Sequence, residues 1–122
     1  MANNEDIIRE FIASWSTLDA KKIASYFTED GTYHNMPFDP VSGRDNVEAF
    51  VAGFIKDWTA TEWDILSLLA DGDLVMAERL DRTQIGDKPV HLPCFGVFKM
   101  RDGKIETWRD YFDMATYLKA AA

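Results

Sequence analysis

The chain has 122 residues, 47% hydrophobic and 13% aromatic, a content that excludes a disordered segment and suits one domain over residues 1–122 with one core and one pocket. A formal charge of −8 without a basic stripe argues against nucleic acid or an anionic membrane as partner, and no apolar run approaches a membrane span. The single cysteine, Cys94, excludes an intrachain disulfide framework and reads as a small core residue, and the acidic start Asn3-Asn4-Glu5-Asp6 lacks the basic and apolar regions of a signal peptide, which predicts a cytoplasmic location.

From Ile7, the residues Ile7, Ile8, Phe11, Ile12, Trp15 and Leu18 recur at helical spacing and predict a first amphipathic helix. Asp19 suits the cap of a short second helix carrying Ile23, Tyr26 and Phe27, ending before an Asp30-Gly31 breaker. A short strand is expected at Tyr33 to Asn35, then a loop from Pro37 to Gly43. Ser42 with Asp45 resembles a capping box for a third helix, whose buried stripe is Val47, Phe50, Val51, Phe54, Ile55 and Trp58. The period then changes to that of strands. Four runs, divided by Asp71-Gly72-Asp73, Ile85-Gly86-Asp87-Lys88 and Asp102-Gly103, predict an antiparallel meander, followed by a short helix from about Met114. The sum is an α+β fold in which a curved, largely antiparallel sheet wraps around helices as a cone with a deep pocket at its mouth.

Chemistry concentrates on two of these strands. Alternation puts Val75, Ala77, Arg79, Asp81 and Thr83 on one face of the run Leu74 to Thr83, and Glu106, Trp108, Asp110 and Phe112 on one face of the last strand. The aromatic bulk of the last strand turns Asp110 inward. For the earlier strand, periodicity leaves either face as the buried one, because Met76 and Leu80 are apolar too; the absence of other charges beside Val75 and Ala77 favours the face of Arg79 and Asp81. With both faces inward, one guanidinium reaches two carboxylates, which cannot both ionise cheaply in a low dielectric, so an acid and a base stand side by side. A plain buried ion pair would read the same from the two charges alone. Tyr33 and Asn35, which share a strand face, add a hydroxyl and an amide able to orient a water.

The stretches Tyr33-His34-Asn35-Met36-Pro37, Gly43-Arg44, Arg79-Leu80-Asp81 and Trp108-Arg109-Asp110-Tyr111-Phe112-Asp113, in that order over nearly the whole chain, resemble the limonene-1,2-epoxide hydrolases. That family belongs to the cone-shaped superfamily (NTF2-like, SnoaL-like) that also holds nuclear transport factor 2 and ketosteroid isomerases. The resemblance implies that Asp110, Asn35 and Tyr33 hold a water, that Asp110 takes its proton, that a protonated Asp81 donates to the epoxide oxygen, and that Arg79 bridges the two aspartates. It implies no cofactor, metal or covalent intermediate, a small apolar, cyclic epoxide as substrate, a vicinal diol as product, and a homodimer formed through the outer sheet face. Phe54, Trp58, Thr83, Phe112 and Tyr117 are the expected substrate-binding residues. Thr83, Cys94 and Gly96 are smaller or more polar than an apolar lining calls for, and His34 and His91 read as surface residues. Two other readings share this fold: an isomerase or cyclase with Tyr33 and Asp81 at an oxyanion and Asp110 as proton shuttle, and a non-catalytic binding module.

Overall fold

A computed structural model describes residues 3–122. Helix α1 (Asn4–Ser14) is capped by Asn3, whose side chain accepts from the Asp6 amide at 2.8 Å, and it runs into a 3-10 turn at Trp15–Thr17. Leu18 then takes a left-handed conformation (φ 52°) that turns the chain, and Asp19 caps α2 (Ala20–Ala24) by accepting from the Lys22 amide. Strands β1 (Phe27–Asn35) and β2 (Val41–Ser42) precede α3 (Arg44–Ile55); β3 (Trp58–Asp71), β4 (Leu74–Ile85), β5 (Lys88–Arg101) and β6 (Lys104–Tyr111) follow, and α4 (Met114–Ala121) closes the order. The six strands form one curved sheet in the order β2-β1-β6-β5-β4-β3, antiparallel except where β1 runs parallel to β6. No helix among the described residues is long and apolar enough to cross a membrane.

The meander and the terminal helix stand where the turn residues put them. Four local expectations do not. The Asp30-Gly31 pair does not break the chain: β1 passes through it at a register shift, because Gly31 lies where a Cβ would meet the Ile105 carbonyl at 3.0 Å and Phe27 at 3.1 Å, so the glycine serves close approach of two strands. Phe27 therefore opens a strand. Gly43, with φ 93°, occupies the N-cap of α3, and the Ser42 hydroxyl bonds Thr32 across β1 and β2 at 2.9 Å, so no capping box forms. Trp58 belongs to β3, opposite Ile85, although it continues the helical spacing of α3. A bulge between Lys99 and Met100 and their β6 partners turns Glu106 outward, where it pairs with Lys99 and Arg101 instead of following Trp108 inside.

The core lies between the concave face of the sheet and the helices, with α1 filling the centre as much as α3 does. Phe11 meets Phe27, Phe98 and Trp108 edge-on, Trp15 stacks on Trp63 at 4.2 Å, and Val47, Val51 and Ile55 of α3 are buried beside them. The aromatic packing continues to one open end, and there the buried charges gather.

Candidate active site

Strand β4 buries Val75, Ala77, Arg79, Asp81 and Thr83 in alternation, and β6 buries Trp108 and Asp110. The parallel register sets Asn35 beside Asp110 and Tyr33 beside Trp108, whose rings stack at 4.3 Å and 5°. Arg79 is fully buried. Its Nε and Nη2 donate to Oδ1 and Oδ2 of Asp81, both at 2.9 Å, while Nη1 and Nη2 donate to Oδ1 and Oδ2 of Asp110 at 2.8 and 2.9 Å. Every carboxylate oxygen of the pair thus accepts from one planar guanidinium. The guanidinium lies 4.4 Å from the centre of the Trp63 ring and 5.7 Å from that of Trp108, and Trp15, from the 3-10 turn after α1, stacks on Trp63. Gly96 makes room for it: a Cβ there would sit 3.0 Å from Arg79 Nη1 and 2.9 Å from Trp108 Nε1.

Burial pushes the Asp110 carboxyl above the ordinary carboxylate value, while the charge and hydrogen bonds of Arg79 pull it back. Burial works against the charge of Arg79 too, but Asp110 and Asp81 together hold it well above its usual value, so it stays a cation. The phenol of Tyr33 is driven well up by burial and then by Asp110, which keeps it a hydroxyl. Cys94, also buried, has its thiol raised by burial and by Asp81; Sγ lies 3.3 Å from Asp81 Oδ2 and remains protonated, which removes the nucleophilic form of the cysteine. Asp81, Cys94 and Asp110 approach one another closely enough to share a metal ion, but the four carboxylate oxygens already accept from Arg79, so a cation would have to displace it. Both polar atoms of the buried Asn35 amide lack a partner among the described residues.

Asp81, Asp110, Tyr33 and Asn35 border one cavity together with Phe54, Trp58, Thr83, Phe112 and Tyr117, so the structure brings the expected substrate-binding residues to the same space. Phe54 comes from α3 and Tyr117 from α4; the two rings stack at 5.6 Å, and Trp58 Nε1 donates to the Tyr117 hydroxyl at 3.0 Å. Arg79 stands behind this lining. Cys94, which the sequence sets among the small or polar lining positions, borders the cavity too, and so do Trp63, Val90 and Leu92, which the sequence does not single out. Trp63 enters through its pairing opposite Asp81, whereas Val90 and Leu92 depend on the register of β5 against β4. His34 is half-buried on the other face of β1, and His91 is exposed.

A curved six-stranded sheet around helices, with its polar groups gathered at the open end, defines the NTF2-like and SnoaL-like cone fold. A solved protein of ketosteroid isomerase-like fold from Catenulispora acidiphila, in complex with trimethylamine, superposes with a TM-score of 0.86 at 20% identity, covering 95% of this chain and 92% of that one. The limonene-1,2-epoxide hydrolase catalytic domain matches residues 2–122, and the chain belongs to that family. The chain is similar to epoxide hydrolase EphG of Mycobacterium tuberculosis, 29% identical over 112 residues that cover 92% of this chain and 74% of the relative. A solved LEH-like epoxide hydrolase of M. tuberculosis is 28% identical with a TM-score of 0.80, covering 94% of this chain and 86% of that one.

Proposed function

We propose that this protein adds water to an epoxide in one step, giving a vicinal diol, with Asp110 as general base, Asp81 as general acid and Arg79 as the bridge between them. The observation that carries the reading is the Asn35 amide, buried beside Asp110 with neither of its polar atoms partnered among the described residues. An unmade hydrogen bond on a buried group costs about 1–3 kcal/mol, so the site is built to be completed by a molecule from solution. A water held by Asn35, Asp110 and the Tyr33 hydroxyl would attack one oxirane carbon as Asp110 takes its proton. Asp81, carrying the proton that the pair shares, gives it to the oxirane oxygen as the C–O bond breaks. Afterwards Asp110 holds a proton and Asp81 does not, and the common guanidinium favours return of the proton across the pair. The apolar walls of Phe54, Trp58, Phe112 and Tyr117 suit an apolar, cyclic, limonene-oxide-like epoxide.

An isomerase built on Tyr33 and Asp81 would leave the Asn35 amide without a task, which favours hydrolysis. The outer sheet face carries Leu66, Leu69, Leu74, Phe95 and Tyr111 exposed to solvent, and we assign it to contact with a second copy of the chain. Cyclic meso-epoxides test the activity. The wild-type protein is expected to give one diol enantiomer in excess, and Asp110→Asn to lower kcat/KM by about a hundredfold or more while keeping the fold. Turnover unchanged in Asp110→Asn would overturn the assignment of the base.

A further inference from the structure

The cavity holds a second polar feature away from the dyad. Trp63 Nε1 donates to Thr61 Oγ1 at 3.0 Å, and Thr61 Oγ1 lies 2.7 Å from Thr83 Oγ1. All three residues are buried on the inner face of β3 and β4, with Thr61 opposite Thr83 and Trp63 opposite Asp81. An indole nitrogen only donates, so Thr61 accepts there and must place its own hydrogen elsewhere. Two arrangements are open to it: it donates to the Arg82 carbonyl at 3.4 Å while Thr83 donates to it, or it donates to Thr83 Oγ1 at 2.7 Å and frees the Thr83 hydrogen. Rotation of the two hydroxyls switches between them, and Thr61 is the one side-chain partner of the Thr83 hydroxyl among the described residues. Thr83 is 4% exposed and borders the cavity.

We infer that Thr83 donates a hydrogen bond to an oxygen of the substrate, so that the site takes an oxygenated cyclic epoxide, with a carbonyl, ether or hydroxyl oxygen across the ring from the oxirane, in preference to a pure hydrocarbon epoxide. The inference rests on the epoxide hydrolase reading, which places the oxirane oxygen at Asp81. Spacing supports it. Thr83 follows Asp81 by two residues on the same strand face, about 7 Å along the strand, which is the span of a substituted six-membered ring whose oxirane oxygen meets Asp81. A substrate oxygen at that place gains the Thr83 hydrogen while Thr61 donates to Thr83, a bond that a hydrocarbon cannot make, and sites that bond a substrate oxygen discriminate against analogues lacking it.

Two epoxides of nearly one shape make the test: 4-acetylcyclohexene 1,2-epoxide and 4-isopropenylcyclohexene 1,2-epoxide, which differ by a carbonyl oxygen in place of a methylene. The wild-type protein should show kcat/KM about tenfold higher for the acetyl compound, Thr83→Val should bring that ratio to about one, and Thr83→Ser should restore it. A wild-type ratio of one or below overturns the inference even if Thr83→Val fails to fold, and so does a Thr83→Val protein that keeps the wild-type ratio. Binding of the acetyl diol and the isopropenyl diol, followed by the fluorescence of Trp58 and Trp63, separates this inference from the reading beneath it. If neither epoxide is hydrolysed but the acetyl diol binds about tenfold tighter in a Thr83-dependent way, the hydrolase reading fails and the hydrogen-bond subsite stands. If both epoxides are hydrolysed and the two diols bind alike, the subsite fails alone.

Discussion

Arg79 makes four hydrogen bonds to four different carboxylate oxygens and so holds both aspartates on one cation. Asp110 is raised by burial in spite of these bonds. Its native pKa stands above the ordinary 3.8, chiefly through burial, so the base loses activity by taking a proton above that value, and the acid limb of kcat/KM is expected above pH 3.8. Stability moves the other way. A group whose pKa is raised by folding binds its proton more tightly in the native state, so its contribution is complete below pH 3.8 and is lost as pH rises through the native value. Denaturant unfolding at several pH values should therefore show Asp110→Asn gaining stability relative to wild type as pH rises through that window, and a constant difference would contradict the shift. The polar residues themselves were legible in the sequence because Arg79, Asp81 and Asp110 fall on alternating faces whose companions are apolar. The contact of the Thr61 and Thr83 hydroxyls was not, since it depends on the pairing of β3 with β4 and on the inner face of β3, which periodicity alone did not assign.

At the scale of the element, β5 is the strand that decides whether the guanidinium fits. Gly96 lies opposite Asp110 on β6 and Ala77 on β4, and its missing side chain is the space Arg79 and Trp108 occupy. Gly96→Ala should destabilise the fold by about 1–3 kcal/mol in denaturant unfolding, by overpacking a full site, and should lower kcat at temperatures where the variant is folded, because Arg79 must shift. A stable variant with full activity would show that the close approach has no function. Meander, turns and the helices α1, α2 and α4 were readable from period and turn chemistry, but two glycines misled in opposite senses. Gly31 looked like a stop and is a bulge, and Gly43 looked like part of a loop and caps α3, because both are placed by tertiary neighbours that the local pattern does not contain. The bulge that turns Glu106 outward escaped alternation for the same reason.

The whole molecule sets its two sheet faces to different uses. The concave face carries the aromatic core and the dyad; the convex face leaves Leu69 79% and Leu66 60% exposed, with Phe95 and Tyr111 near 40% on neighbouring strands. With Leu80 packed among Leu66, Phe95 and Tyr111, a second copy of the chain is expected here, and Leu80→Glu with Phe95→Glu should convert a dimer to a monomer in sedimentation velocity. A wild-type protein that sediments as a monomer at the same concentration would remove the assignment. The inner face carries the central claim, direct attack of water with Asp110 as base, and one measurement reaches it. A single turnover of a cyclic epoxide, with enzyme in excess in water enriched in heavy oxygen, should give a diol carrying one solvent oxygen from the first turnover and leave the protein unlabelled. An unlabelled first-turnover diol, with heavy oxygen appearing in Asp110 or Asp81, would mean that a carboxylate attacks the epoxide and would contradict the account.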